Sequence, residues 1–168
     1  KVGSKKIYSD YSSAKSVYTN PSKVTISSLS DVSASSIKIN WKKVSRADGY
    51  LIYQKKGDGK YSLIKTITSG STTSYTKKSL SSASKYTYKI KAYVKSGSSK
   101  IYGEYSSAKS TYTKPSQVTV SSLTAVSPTS VKISWKKVYN ANGYVIYQNK
   151  GDGKYTLIKT ITSGQTTT

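Results

Sequence analysis

Gly49 to Gly70 reads "GYLIYQKKGDGKYSLIKTITSG", and Gly143 to Gly164 reads "GYVIYQNKGDGKYTLIKTITSG". A shift of 94 residues lays one on the other. The same shift carries Pro21 onto Pro115, Trp41 onto Trp135 and Tyr61 onto Tyr155, and it aligns "KIYSDYSSAKSVYT" (Lys6 to Thr19) with "KIYGEYSSAKSTYT" (Lys100 to Thr113). No insertion interrupts the match. A period of this length suits a whole domain better than the shorter unit of a solenoid, which runs to roughly 20–50 residues.

Inside the repeat the hydrophobic period is two. "SIKINWKK" alternates Ile37, Ile39 and Trp41 with Lys38, Asn40 and Lys42. "KYTYKIKAYV" alternates Tyr86, Tyr88, Ile90, Ala92 and Val94 with Lys85, Thr87, Lys89, Lys91 and Tyr93. Apolar residues on one side and lysines on the other describe strands with one buried and one wet face. "GDG" at Gly57 to Gly59 supplies the turn between "YLIYQ" and "YSLIKTI", which predicts a hairpin. No segment has helical spacing. Short strands separated by Gly/Ser/Asn turns predict an all-β sandwich.

Composition narrows the chemistry. The 168 residues carry 28 Lys+Arg against 6 Asp+Glu, a formal charge of +22, with no His and no Cys. The chain therefore offers no imidazole base, no thiolate and no ordinary zinc or iron ligand set. Its acids, Asp10, Asp31, Asp48, Asp58, Glu104 and Asp152, are scattered and mostly turn-like, which argues against a paired carboxylate site. "GDGK" at Gly57 lacks the spacing of a phosphate loop, and Asp58 and Asp152 lack the companion oxygens of a calcium site. The reading is a non-enzyme without cofactors. No apolar run approaches a membrane span, and no signal-peptide pattern stands at Lys1.

Trp41 in an early strand, then "GYLIYQ", then Leu80 six residues before Tyr86 in "LSSASKYTYKIKAY" resemble a fibronectin type III domain; the closing "YGEYSSAKSTYTKP" is similar to that family's last strand and exit. The resemblance covers the whole chain, and its wording is closest to tandem modules in surface or secreted proteins of Gram-positive, clostridial-type bacteria. It implies tandem immunoglobulin-like β-sandwiches of seven strands. Trp41 and Trp135 would pack the core from strand B, Leu80 would join them, and Tyr86 would make the tyrosine corner at the start of strand F. Residues 1–20 read as the end of a preceding module (its last strand), 21–113 as a complete module, and 114–168 as the first strands of a following one, truncated before strand F. The counterpart of Tyr75 to Val94 is the stretch the second copy lacks. A window on a longer array accounts for this frame more simply than strand exchange with a neighbour.

Two surfaces stand out. Lys38, Lys42 and Lys43 near strand B, with Lys132, Lys136 and Lys137 repeating them, and Lys89 and Lys91 on strand F, form a repeated basic face. Such a face attracts polyanions in a salt-dependent way; anionic cell-wall polymer, polysaccharide or an acidic protein are the candidate partners. Nucleic acid is disfavoured because Arg46 is the only arginine. The plain alternative is a solvated lysine surface that blunts strand edges. In "GYLIYQ", Tyr50 and Ile52 should face inward and Leu51 and Tyr53 outward; Val145 and Tyr147 repeat that stripe, and Tyr93 lies near it. The stripe is a candidate packing surface toward neighbouring copies of the module, or a sugar-stacking platform. Three readings follow: an extracellular stalk, fibre or filament; a lysine-rich binding module; and a spacer attached to a secreted hydrolase.

Overall fold

A computed structural model describes residue 3 and residues 6–168. Every regular element in it is a strand. Eight of them, β1 (Ile26–Ser30), β2 (Ile37–Trp41), β3 (Gly49–Lys56), β4 (Ser62–Ile67), β5 (Ser74–Lys77), β6 (Lys85–Ser96), β7 (Ser99–Tyr102) and β8 (Lys109–Tyr112), build the first body. One sheet runs β1-β2-β5; the other runs β4-β3-β6-β7, with β8 also on β6. All pairings are antiparallel.

The core lies between the two sheets. Ile37, Ile39 and Trp41 enter it from β2, Tyr50 and Ile52 from β3, and Tyr86, Tyr88, Ile90 and Ala92 from β6. The period of two therefore places the core as the alternation requires. The "GDG" turn closes β3 onto β4, with Gly57 at φ +52°, a conformation that glycine adopts without a Cβ penalty.

The seven-strand expectation is revised at the last edge, which is split into β7 and β8. Tyr93 faces Tyr102, whereas Tyr88 faces Lys109, so seven steps along the edge span five along β6. The surplus bulges out between Gly103 and Ala108. Within it the buried Ser106 takes over the ladder: its N–H donates to Ile90 O at 2.7 Å, and its Oγ accepts from Ile90 N at 3.0 Å. Gly103 sits where a Cβ would collide with Pro21 O, which fixes the chain's path into the bulge.

The second body holds β9 (Val120–Ser127), β10 (Ser130–Trp135), β11 (Tyr144–Gln148) and β12 (Thr156–Ile161), paired as β9-β10 and β11-β12. Its core is Trp135, Val138 and Tyr144, with Ile133, Ala141, Ile146 and Ile161 partly buried around them. Residues 6–20, expected to end with the last strand of a preceding module, carry no strand and are exposed. Their counterpart is ordered as β7 and β8 by the ladder to β6, and no strand pairs with residues 6–20 among the described residues. Residues 1, 2, 4 and 5 of that expected module lie outside the described residues.

Candidate surface site on the outer sheet face

Trp41 and Tyr50 meet edge to face at 5.4 Å. The Tyr50 hydroxyl accepts from Val44 N at 3.1 Å and donates to Gly70 O at 3.1 Å, which ties the start of β3 to the loop after β4. The second body repeats this arrangement: Trp135 and Tyr144 at 5.3 Å, Val138 N to Tyr144 Oη at 3.1 Å, and Tyr144 Oη to Gly164 O at 3.3 Å. Each hydrogen bond satisfies a group that would be costly to bury alone. Leu80 is buried in the first core, and so is Tyr86, whose hydroxyl accepts from Ser81 N at 2.9 Å, the geometry of a tyrosine corner. Trp41, Leu80, Tyr86 and Trp135, with Tyr50 and Tyr144, are buried framework.

The outer face of β3 and β6 differs from a plain wet surface. Leu51 and Tyr93, expected to be exposed, are 8% and 0% accessible. The cause is Gly49. With no side chain there, the Tyr93 ring lies across β3, and its hydroxyl donates to Ile67 O at 3.3 Å on the far strand. A Cβ at Gly49 would sit 2.6 Å from that hydroxyl and would also collide with Ile67 O. Tyr93 thus walls in Leu51 from β6, while Tyr102, directly opposite Tyr93 on β7, stands 6.2 Å away ring to ring. Val145 and Tyr147, the corresponding residues on β11, are exposed at 58% and 54%.

Beyond this wall the face is a lattice of tyrosines and lysines. Tyr53 and Tyr105 meet edge to face at 5.1 Å. Lys91 Nζ sits among three rings, 4.4 Å from Tyr102, 4.9 Å from Tyr105 and 5.9 Å from Tyr53. Lys89 Nζ lies 4.8 Å over Tyr61, which Lys55 also approaches at 5.6 Å, and Lys100 Nζ lies 4.5 Å over Tyr93. All these distances are within cation–π range. Among the described residues the single ion pair is Lys38–Asp31 at 3.4 Å, on the opposite sheet. Burial first, then donation of its own O–H toward Tyr105 and repulsion from Tyr105 and Tyr102, pushes the Tyr53 phenol up to about 12. Burial also raises Tyr61, and it raises Tyr93 with help from Asp48 and Tyr102. These phenols therefore remain neutral donors around ammonium groups that have no carboxylate partner.

Sequence reasoning reached Tyr53, Lys89, Lys91 and Tyr93 but missed Tyr61, Tyr102, Tyr105 and Lys100. Tyr102 and Tyr105 are three apart, so a regular strand would send them to opposite faces. The bulge cancels that parity, and both end beside Lys91. Of the other basic residues, Lys42 and Lys43 are exposed just past β2, and Lys132, Lys136 and Lys137 are exposed in and just after β10. None of these five joins the tyrosine lattice. No group of His, Cys, Asp and Glu among the described residues could hold a metal ion.

A paired-sheet sandwich with a strand-B tryptophan and a tyrosine corner defines the class, and comparison with known proteins agrees. The fibronectin type III domain family model matches residues 19–109. The chain belongs to the fibronectin type III family, a non-catalytic module commonly used in extracellular proteins. No curated protein matches it. The FN1-FN3 domains of chicken CNTN1 are similar in fold, at 17% identity and a TM-score of 0.51, covering 89% of this chain and 54% of that one. Titin domains A168-A170 are similar at 20% identity and a TM-score of 0.44, over 56% of this chain and 32% of that one. The sixth fibronectin type III domain of a human fibronectin type III domain containing protein 3 is similar at 19% identity and a TM-score of 0.48, over 61% and 93% of the two chains. The chain thus spans about a third of the titin fragment and about half of the contactin one. Among the described residues no helix is long and apolar enough to cross a membrane.

Proposed function

We infer that the chain is a tandem structural repeat of an extracellular bacterial surface protein, in which β-sandwich modules build a stalk, fibre or filament. The observation that carries this reading is the twofold construction of one core. Trp41–Tyr50–Gly70 and Trp135–Tyr144–Gly164 have the same ring geometry and the same hydrogen bonds, 94 residues apart in a chain without His or Cys. A module repeated without a chemical site extends length and multiplies surface. In this reading, residues 21–113 are one module, 1–20 close the previous one, and 114–168 open the next, completed by a strand of the β6 pattern beside β11. Resemblance to tandem modules of Gram-positive surface proteins supports the cellular setting.

Short connections support an extended array. Between β8 and β9 the chain is held to the first body by Lys114 N to Ser33 O at 3.0 Å and Ala83 N to Lys114 O at 3.1 Å. Electron microscopy of the parent protein at low and at high salt tests the proposal. Fibres or rods with a regular axial repeat in both conditions are expected, and compact particles without an axial repeat would overturn it.

A further inference from the structure

We propose that the tyrosine–lysine lattice on the outer face of β3, β6 and the bulged edge is a binding platform for a linear polysaccharide carrying carboxylate or sulfate groups. The proposal does not depend on the filament reading. Four observations carry it. First, Lys91 and Lys89 are held in place by rings rather than by carboxylates. A ring quadrupole positions an ammonium without neutralising it, so the charge remains available to an external anion. Second, the phenols of Tyr61 and Tyr102 stand beside Lys89 and Lys91, and their hydroxyls can donate to the same anion. Third, Tyr102 and Tyr105 are still 41% and 42% exposed, which leaves ring surface free for the apolar face of a sugar. Fourth, Lys89 and Lys91 are two residues apart on one strand, about 7 Å along its axis, and Lys100, within β7, adds a third cation over the Tyr93 ring.

A row of spaced cations interleaved with aromatic surface matches a chain of sugar rings bearing regularly placed anions. An acidic peptide would use the cations and leave the rings idle. Nucleic acid is disfavoured by the absence of any arginine from the face, since the bidentate fork is the usual phosphate and base reader.

Binding of the full chain to two polymers, heparin (sulfated) and polygalacturonate (carboxylated), tests the proposal, with neutral dextran and polyglutamate as controls. Retention on at least one anionic polysaccharide, weakening as salt rises, is expected, with dextran unbound and polyglutamate weaker. Which of the two binds better identifies the anion. The deciding comparison removes equal charge from two faces. Lys89→Gln with Lys91→Gln should weaken polysaccharide binding by roughly tenfold or more. Lys42→Gln with Lys43→Gln, on exposed positions away from the lattice, should have a much smaller effect. Tyr105→Phe keeps the ring that packs on Tyr53 and removes only the hydroxyl, so a modest loss is expected, with the unfolding midpoint nearly unchanged. Equal losses from the two lysine pairs, or polyglutamate binding as tightly as the polysaccharides, would mean diffuse attraction by net charge and overturn the platform. Failure of both anionic polysaccharides to bind at low salt would overturn it as well.

Discussion

Strands β3 and β11 begin with nearly the same words, "GYLIYQ" and "GYVIYQ", yet they live in different surroundings. Tyr50 and Tyr144 hold the same hydrogen bonds, and the hairpin bulge recurs between Ile52 and Tyr53 and between Ile146 and Tyr147. The outer faces diverge. Leu51 is buried because β6 pairs with β3 and sends Tyr93 over Gly49, whereas β11 pairs only with β12 among the described residues and Val145 stays open. Local sequence thus builds the hairpin and its tyrosine clamp twice, while a distant strand decides which residues of that hairpin are covered.

The largest expected effect breaks the comparison at its centre. Trp41→Ala should destabilise the first body by about 3–5 kcal/mol, since a buried indole leaves a large cavity. Trp135→Ala should cost clearly less, because three buried residues rather than fourteen make up its core. Denaturant unfolding followed by far-ultraviolet circular dichroism, with the remaining tryptophan's fluorescence reporting the unmutated body, separates the two. An equal cost would mean that the second body is as well packed as the first.

Next comes the outer face. Leu51→Ala should cost about 2–5 kcal/mol, and Val145→Ala should stay within about 0.5 kcal/mol. The difference in unfolding midpoint is the readout, and near-equality would show that Tyr93 does not shield Leu51. Two phenols two residues apart on β6 give a finer contrast. Tyr86 Oη accepts from Ser81 N, whereas Tyr88 Oη is buried without a partner among the described residues. Tyr86→Phe should therefore cost about 1–3 kcal/mol by orphaning that N–H, and Tyr88→Phe should be neutral or stabilising in thermal melts.

The smallest effect is alkaline. The Tyr53 phenol is raised to about 12 by burial first, against about 10 in the unfolded chain. A raised folded value means that the fold retains a proton the unfolded chain releases. The contribution is complete below about pH 10 and is lost between about pH 10 and 12. Tyr53→Phe should flatten the decline of stability over that window, as measured by denaturant titrations at successive pH values. An unchanged slope would place Tyr53 outside the buried lattice.

Much of this was legible in the residues. Alternation over "SIKINWKK" and "KYTYKIKAYV" gave strand direction and core face, because a side-chain period of two is a local property of extended backbone. "GDG" gave the hairpin for the same local reason. The reading failed at Leu51 and Tyr93, where alternation correctly assigned the outer face but could not see that one ring would cross a glycine and cover a neighbour. It also missed Tyr102 and Tyr105, because parity counting assumes an unbroken strand. Residues 6–20, read as the last strand of a preceding module, form no strand among the described residues, because a strand needs a ladder partner and pairing is not a matter of local sequence pattern.

What the sequence determined by itself is the all-β alternation, the repeat at 94 residues, the aromatic core positions and the exclusion of imidazole and thiolate chemistry. These follow from residue type and spacing alone. Tertiary structure decided the rest: which lysines meet which rings, which edge carries a bulge, and which face of one hairpin is covered while its twin stays open. Those outcomes depend on contacts between segments distant in the chain, such as Gly49 with Tyr93 and Tyr53 with Tyr105, and no local pattern encodes the approach of the second partner.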